Sequence, residues 1–347
     1  MVKELCGIQA QDAPAAALAV RARSAGLTAA DVEHARVHER SIVRTWGPRG
    51  TLHLLATEDL GWLLSLLRPI FVPADQRRRM QLGLDEETCA RAIRVIRDAL
   101  ASQGPLTRAE LVERMAAHGI IAKGQAAPHL LYRAALEGII CLGPDRGAAK
   151  LTYVLLSDWV ELGGALPQEA AGAELARRYL KAYGPATPED FAAWSGLPMG
   201  IARAAWKRIA DDLLDVEIGG HSACMLKAHA AWLDELPYET PARRPAVRLL
   251  PSFDTYLLGY RTRELAVAPQ HAKRIHPGGG VLRPAVLLDG FAVGTWKITR
   301  HRARIDVVIE PFEPIAPETH AGLEEEAGDI ARFLGVAGRL EERSGRG

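Results

Sequence analysis

Two rhythms of apolar residues organise this chain. Residues 88–103 (TCARAIRVIRDALASQ) and 168–183 (QEAAGAELARRYLKAY) carry the three-to-four-residue spacing of a helix with one buried face. Each runs into a Gly-Pro break, and the breaks open related motifs: GPLTRAELVERMAAHGI from Gly104 and GPATPEDFAAWSGLP from Gly184. In both, a Thr stands at an N-cap position with an acid three residues on, Thr107 with Glu110 and Thr187 with Asp190. A further helical pattern follows in each copy (125–137, QAAPHLLYRAALE; 199–211, MGIARAAWKRIAD). Then come short strand-like runs at 138–156 and 213–226. Helix, helix, helix and hairpin, repeated, is the order of a winged helix.

The N-terminal part reads as an incomplete third copy. A helix begins near Pro14, a second spans 28–38, and 42–55 (IVRTWGPRGTLHLL) reads as two strands around a Gly/Pro turn, a candidate wing. The opening helix of a winged helix is missing here. Beyond Leu226 the pattern changes to Pro- and Gly-rich sequence with strand-like runs (AVRLLPSFDTYLLGY, PAVLLDGFAVGTWKI, RARIDVVIEPF). They predict an antiparallel, barrel-like β unit. An amphipathic helix over roughly 318–334 closes it. The expected units are 1–80, 81–160, 161–235 and 236–347.

Composition excludes more than it selects. Of 347 residues, 48% are hydrophobic and 24% charged, as in a globular protein with a sizeable core. No apolar run approaches the about twenty residues of a membrane span, and the N-terminus lacks a secretory h-region, so a cytoplasmic protein is expected. Cys6, Cys89, Cys141 and Cys224 lie too far apart for a metal-ligand pattern and read as free thiols. The net charge of +1 hides an asymmetry. Residues 243–304 hold twelve Lys/Arg against three acids, and 305–347 hold ten acids against four Arg. A locally basic region on a neutral chain is compatible with a nucleic-acid face, or with a solvated surface.

Four stretches could carry chemistry. In GIQAQDAP, Gln9 and Gln11 precede a helix and, if extended, share a side. Two carboxamides can hold a water or face a developing cation, but they are poor bases; alternatively they satisfy loose backbone groups at the helix mouth. In VRTWGPRGTLHLL, Arg44, Trp46, Arg49, Thr51 and His53 share one hairpin. Arg49, Thr51 and His53 are expected on one face, opposite Leu52 and Leu54, either for phosphate contact or as an ordinary wet face. In LPSFDTYLLGYRTR, Asp254 reads as a buried ion-pair member, with Tyr260, Arg261 and Arg263 close behind. In TWKITRHRAR, alternation places Thr295, Lys297 and His301 on one side and Trp296, Arg300, Arg302 and Arg304 on the other. That is too charged for a core strand and suits a hairpin entering a nucleic-acid groove. No CxxC, HExxH, Walker A, GxGxxG or Gly-x-Ser-x-Gly occurs in its required context, and HPGGG (276–280) reads as a turn. No metal or cofactor is expected.

Taken together and in order, GIQAQDAPAAALAVRAR, VRTWGPRGTLHLL, LPSFDTYLLGYRTR and DGFAVGTWK resemble the winged-helix DNA glycosylase superfamily that includes AlkZ and YcaQ. The resemblance spans about residues 5–335. It implies an α+β protein of three tandem winged helices plus a C-terminal antiparallel β-barrel-like domain, C-shaped, acting as a monomer on double-stranded DNA with alkylated purines. Members hydrolyse the N-glycosidic bond of such purines, and the AlkZ-type unhook interstrand crosslinks made by natural-product alkylators. Gln9 and Gln11 match the Gln-x-Gln catalytic motif of the AlkZ type, rather than the Gln-x-Asp of YcaQ-like members. Relatives carry a longer segment ahead of this motif, which forms the opening helix. An N7-alkylated guanine is already cationic, so its departure needs no strong acid; two amide oxygens could stabilise the sugar cation and position water. With no lysine placed as a nucleophile, the expectation is a monofunctional, metal-free hydrolase. The DNA-binding residues expected are Arg44, Trp46, Arg49, Thr51, His53, Arg261, Arg263, Lys297, Arg300, His301 and Arg302, with Asp254 and Tyr260 supporting the site. The alternatives are a tandem winged-helix transcription regulator without catalysis, weakened by a helix at 125–137 with few charges, and a paralogue that binds lesions without cleaving.

Overall fold

A computed structural model describes residues 1–147, 150–234 and 245–342. The expected boundary at 235–236 lies outside them. The strands are β1 (Ile8–Gln9), β2 (Ile42–Trp46), β3 (Leu52–Ala56), β4 (Leu106–Thr107), β5 (Ile140–Leu142), β6 (Thr152–Leu155), β7 (Leu213–Ile218), β8 (His221–Leu226), β9 (Val247–Leu250), β10 (Ala285–Leu288), β11 (Phe291–Arg300), β12 (Arg304–Pro311) and β13 (Ala337–Glu342).

The repeat is real at the level of its caps. Thr107 and Glu110 form a capping box for the helix Arg108–Ala117, and Thr187 and Asp190 do so for Pro188–Ser195. Each Thr hydroxyl accepts from the amide three residues on, and each acid accepts from the Thr amide. The first two units are not independent, however. Their strands form one six-stranded sheet in the order β1-β3-β2-β5-β6-β4, joined where Arg44 pairs with Leu142. The third unit keeps its own two-stranded hairpin, β7–β8.

A helix that sequence patterning leaves unassigned, Leu60–Ala74, fills the centre. Pro69 and Pro73 interrupt its reading as a helix, yet both lie within it. Leu60, Leu63, Leu66 and Leu67 are fully buried, and the helix packs against both Ala126–Leu136 and Gln168–Tyr183. A helix apolar on most sides belongs inside.

The C-terminal unit is a five-stranded sheet in the order β13-β12-β11-β10-β9. Its strands pair antiparallel except β12 and β13, which run parallel; the wholly antiparallel expectation is corrected there. A flat sheet of five strands about 4.8 Å apart separates its edges by about 19 Å, wider than a helix of about 10–12 Å. The helix Pro317–Leu334 nonetheless touches both edge strands, so the sheet curls around it as a half-barrel. TWKITRHRAR also needs correcting. Its first half lies in β11, in the middle of this sheet, with Trp296 buried and its indole N–H donating to Leu250 O at 2.6 Å. Only residues 300–304, around the turn, are exposed throughout. One side chain ties the ends of the protein together. Arg21, on the helix Ala13–Arg21, is fully buried against Glu326 (2.9 Å) and the Leu249 carbonyl (2.7 Å).

Candidate active site

β1 pairs antiparallel with β3, placing Gln9 opposite His53, and β3 pairs with β2, placing Thr45 opposite His53. Partners directly opposite point to one face, so Thr45, His53 and Gln9 form a polar row across three strands. All three are more than nine-tenths buried, with exposures of 2%, 3% and 8%. The opposite face carries Ile8, Ala10 and Leu54, which join an apolar cluster with Ala16, Ala19 and Val20.

Neither glutamine caps the helix behind it. Asp12 does that, accepting from Ala15 N at 3.1 Å. Gln11 is exposed, and its Oε1 accepts from the Leu52 amide at 3.3 Å. Gln9 Oε1 accepts from Arg49 Nη2 at 2.7 Å. Each amide oxygen therefore has one lone pair taken, and each keeps a second along with two N–H donors.

Arg49 sits in the turn Gly47-Pro48-Arg49-Gly50 with φ +57°, unusual for a residue with a Cβ. The turn is wedged in place: a Cβ at Gly196 would lie 2.7 Å from Arg49 Cα, and one at Gly50 would lie 2.6 Å from the Tyr132 hydroxyl. Besides Gln9, Arg49 donates through Nη1 to the Trp194 carbonyl. No carboxylate pairs with it among the described residues. Burial and, less strongly, the charge of Arg263 push its pKa down to about 10. Burial also lowers Arg263, whose Nε has no partner among the described residues. His53 is driven further, to about 3, by burial and by Arg49, against a smaller opposing effect of the Thr51 carbonyl. Its ring is neutral.

The wing residues thus divide differently from the expectation. Arg44 and His53 are buried rather than on an outer DNA-facing side, because β3 is covered on both faces. Arg44 donates to the carbonyls of Ala10 (3.0 Å) and Gln11 (3.4 Å), fixing the backbone that carries the glutamines. Thr51 is half-buried and donates to Pro48 O, and Trp46 meets Tyr132 edge-on. Asp254 is fully buried in a two-pronged pair with Arg23 (2.5 and 2.8 Å) and caps a short turn at Tyr256 N, so it is structural. Tyr260 donates to the Tyr183 carbonyl, and Arg261 N donates to Asp190 Oδ1 at 3.0 Å, docking this loop on the third unit. Lys297 is paired with Glu310 and His301 with Asp306, while the exposed Arg300 and Arg302 carry no ion pair among the described residues. Sequence reasoning missed Thr45 and the carbonyl of Trp194; the only hint was Gly196 in the repeated motif, whose need for a glycine emerges from the contact with Arg49. No group of three His, Cys, Asp or Glu side chains converges among the described residues, nor is any helix among them long and apolar enough to cross a membrane.

The comparisons with known proteins agree with one another. A family model described as DNA glycosylase AlkZ-like matches residues 2–333. A protein of Streptomyces sahachiroi named interstrand DNA cross-link repair glycosylase is 33% identical over 360 residues, covering 97% of this chain and 91% of the relative. The solved structure of Streptomyces sahachiroi DNA glycosylase AlkZ superposes with a TM-score of 0.81 at 30% identity, covering 99% of this chain and 92% of that one.

Proposed function

Because the chain belongs to the AlkZ-like DNA glycosylase family, we propose that it hydrolyses the N-glycosidic bond of N7-alkylated, cationic purines in double-stranded DNA, interstrand crosslinks included. The crosslink part draws on the name of the Streptomyces relative. The observation that carries the reading is Gln9, a buried carboxamide held at its oxygen by Arg49 in a row of polar side chains with Thr45 and His53.

The chemistry suits a group with no acidity. The C1′–N9 electrons flow to a purine that is already positive, which leaves neutral, and the sugar acquires the charge. The free lone pairs on Gln9 and Gln11 stabilise that cation, and their N–H groups hold the oxygen of a water. The preorganisation comes from Arg44 beneath and Arg49 beside. Hydrolysis by water leaves an abasic site, without a covalent lysine adduct or a metal. In this reading the exposed Arg261, Arg300 and Arg302 supply phosphate contacts. Against the regulator alternative, helix Ala126–Leu136 buries Ala126, Ala127, Leu130, Leu131, Ala134, Ala135 and Leu136, leaving that helix little face for a groove.

The test is cleavage of a duplex bearing N7-methylguanine, with alkali to break abasic sites. Wild type is expected to give strand breaks and the double variant Q9A/Q11A none, with DNA affinity retained. No breaks from wild type, in an assay where a known glycosylase succeeds, overturn the function.

A further inference from the structure

We propose that His53 Nε2 accepts the proton of the attacking water, making His53 a catalytic residue beside Gln9; the inference rests on the glycosylase reading above. Four observations converge. His53 Nδ1 lies 2.9 Å from the Thr51 carbonyl, which can only accept, so Nδ1 carries the hydrogen and Nε2 the lone pair. Nε2 has no partner among the described residues, although the side chain is almost wholly buried. The ring is also held in one orientation. A Cβ at Gly47 would lie 3.2 Å from Cγ and Nδ1, and one at Gly7 3.6 Å from Cδ2, so two glycines close on the ring from the side away from Nε2. Finally, Gln9 is its cross-strand partner, with side chains on one face at about 5 Å between Cβ atoms.

A water needs both a donor and an acceptor to be aimed. Arg49 occupies one lone pair of Gln9 Oε1, so the Gln9 N–H group is the natural donor to the water oxygen, and His53 Nε2 is the acceptor of a water proton. In the step, the water oxygen bonds to C1′ as the C1′–N9 bond breaks. The bonding pair goes to the cationic purine, which leaves neutral. The water proton passes to Nε2, and the imidazolium returns it to solvent before the next turnover. A weak base suffices, because water bonding to an oxocarbenium becomes strongly acidic. Burial and Arg49 keep the ring unprotonated and the lone pair available. The charge of Arg49 also disfavours the imidazolium, so the proton is not retained.

The experiment is single-turnover cleavage of an N7-methylguanine duplex by wild type, H53A and H53F, with DNA affinity by fluorescence anisotropy and thermal melts alongside. The expected result is a fall of about 10²–10³-fold in rate for both variants, the scale of general-base catalysis, with near-wild-type affinity. Added imidazole should restore H53A and leave H53F unchanged, since Phe fills the slot without a lone pair. The solvent deuterium isotope effect should shrink in both. A folded H53A or H53F at the wild-type rate, or H53A slowed but unresponsive to imidazole, overturns the proposal. Should H53A fail to fold, H53F decides by its rate and isotope effect. If wild type itself is inactive, the glycosylase reading has failed instead.

Discussion

Replacing Arg49 with methionine separates positioning from stability. Moving the guanidinium from water to its site lowers its pKa from 12.5 to about 10, so keeping the charge there costs about 3 kcal/mol at 1.36 kcal/mol per pH unit. Its hydrogen bonds to Gln9 and the Trp194 carbonyl return about 1.5–3 kcal/mol each, being bonds from a charged donor. Removing the side chain forfeits about 3–6 kcal/mol and recovers about 3, a net loss of about 0–3 kcal/mol. R49M should therefore melt only a few degrees below wild type. Activity should suffer far more, because the Gln9 carboxamide is freed to turn over, and misplacing a catalytic group by about 1 Å can cost about 10²-fold. Single-turnover cleavage beside a thermal melt reads both quantities, and R49K should recover part of the rate by donating one bond. R49M cleaving like wild type refutes the clamp. So does a collapse of the melt in step with activity, which would make Arg49 a folding residue.

Acid should destabilise the protein through His53. The unfolded chain protonates His53 near its ordinary 6.5 and the folded chain near 3, so its contribution is complete above 6.5 and lost as pH falls toward 3. Linkage sets a ceiling of about 3 kcal/mol lost between pH 6.5 and 4.5; H53F should show a flatter melt-versus-pH curve, and an unchanged curve would refute the shift. E326A leaves Arg21 buried without its nearest charge and frees the Leu249 amide, which should cost about 3–5 kcal/mol in urea unfolding. R300A and R302A should each reduce the slope of log affinity against log salt by about 1 if each contacts a phosphate, without altering single-turnover rate at saturating DNA.

Much of the fold was legible because its signals are local. A Thr-x-x-acid cap announces itself in four residues, and both repeated caps form. The helix Gln168–Tyr183 has the bounds that its apolar spacing predicts. What escaped depends on distant partners. Leu60–Ala74 is apolar on most sides and holds two prolines, so neither amphipathic spacing nor capping marks it. β13 pairs parallel to β12 across an intervening helix, and no turn signal encodes such pairing. At the site, the segment GIQAQD was visible, but the roles of its neighbours were not. Alternation put Arg49 and His53 together on an outer face; in fact Arg49 leaves the strand in a left-handed turn, and His53 is buried in a strand whose residues are buried on both faces.

The buried contact between Arg21 and Glu326 spans 305 positions of the chain, and that separation imposes an order of events during synthesis. The segment bearing Gln9 and Gln11 leaves the ribosome long before Glu326, so the helix just behind it waits 305 positions for its charge partner. Contacts so remote are slow to close. Newly made chains therefore pass through a stage in which the helix behind the glutamines is translated but not yet joined to the C-terminal unit.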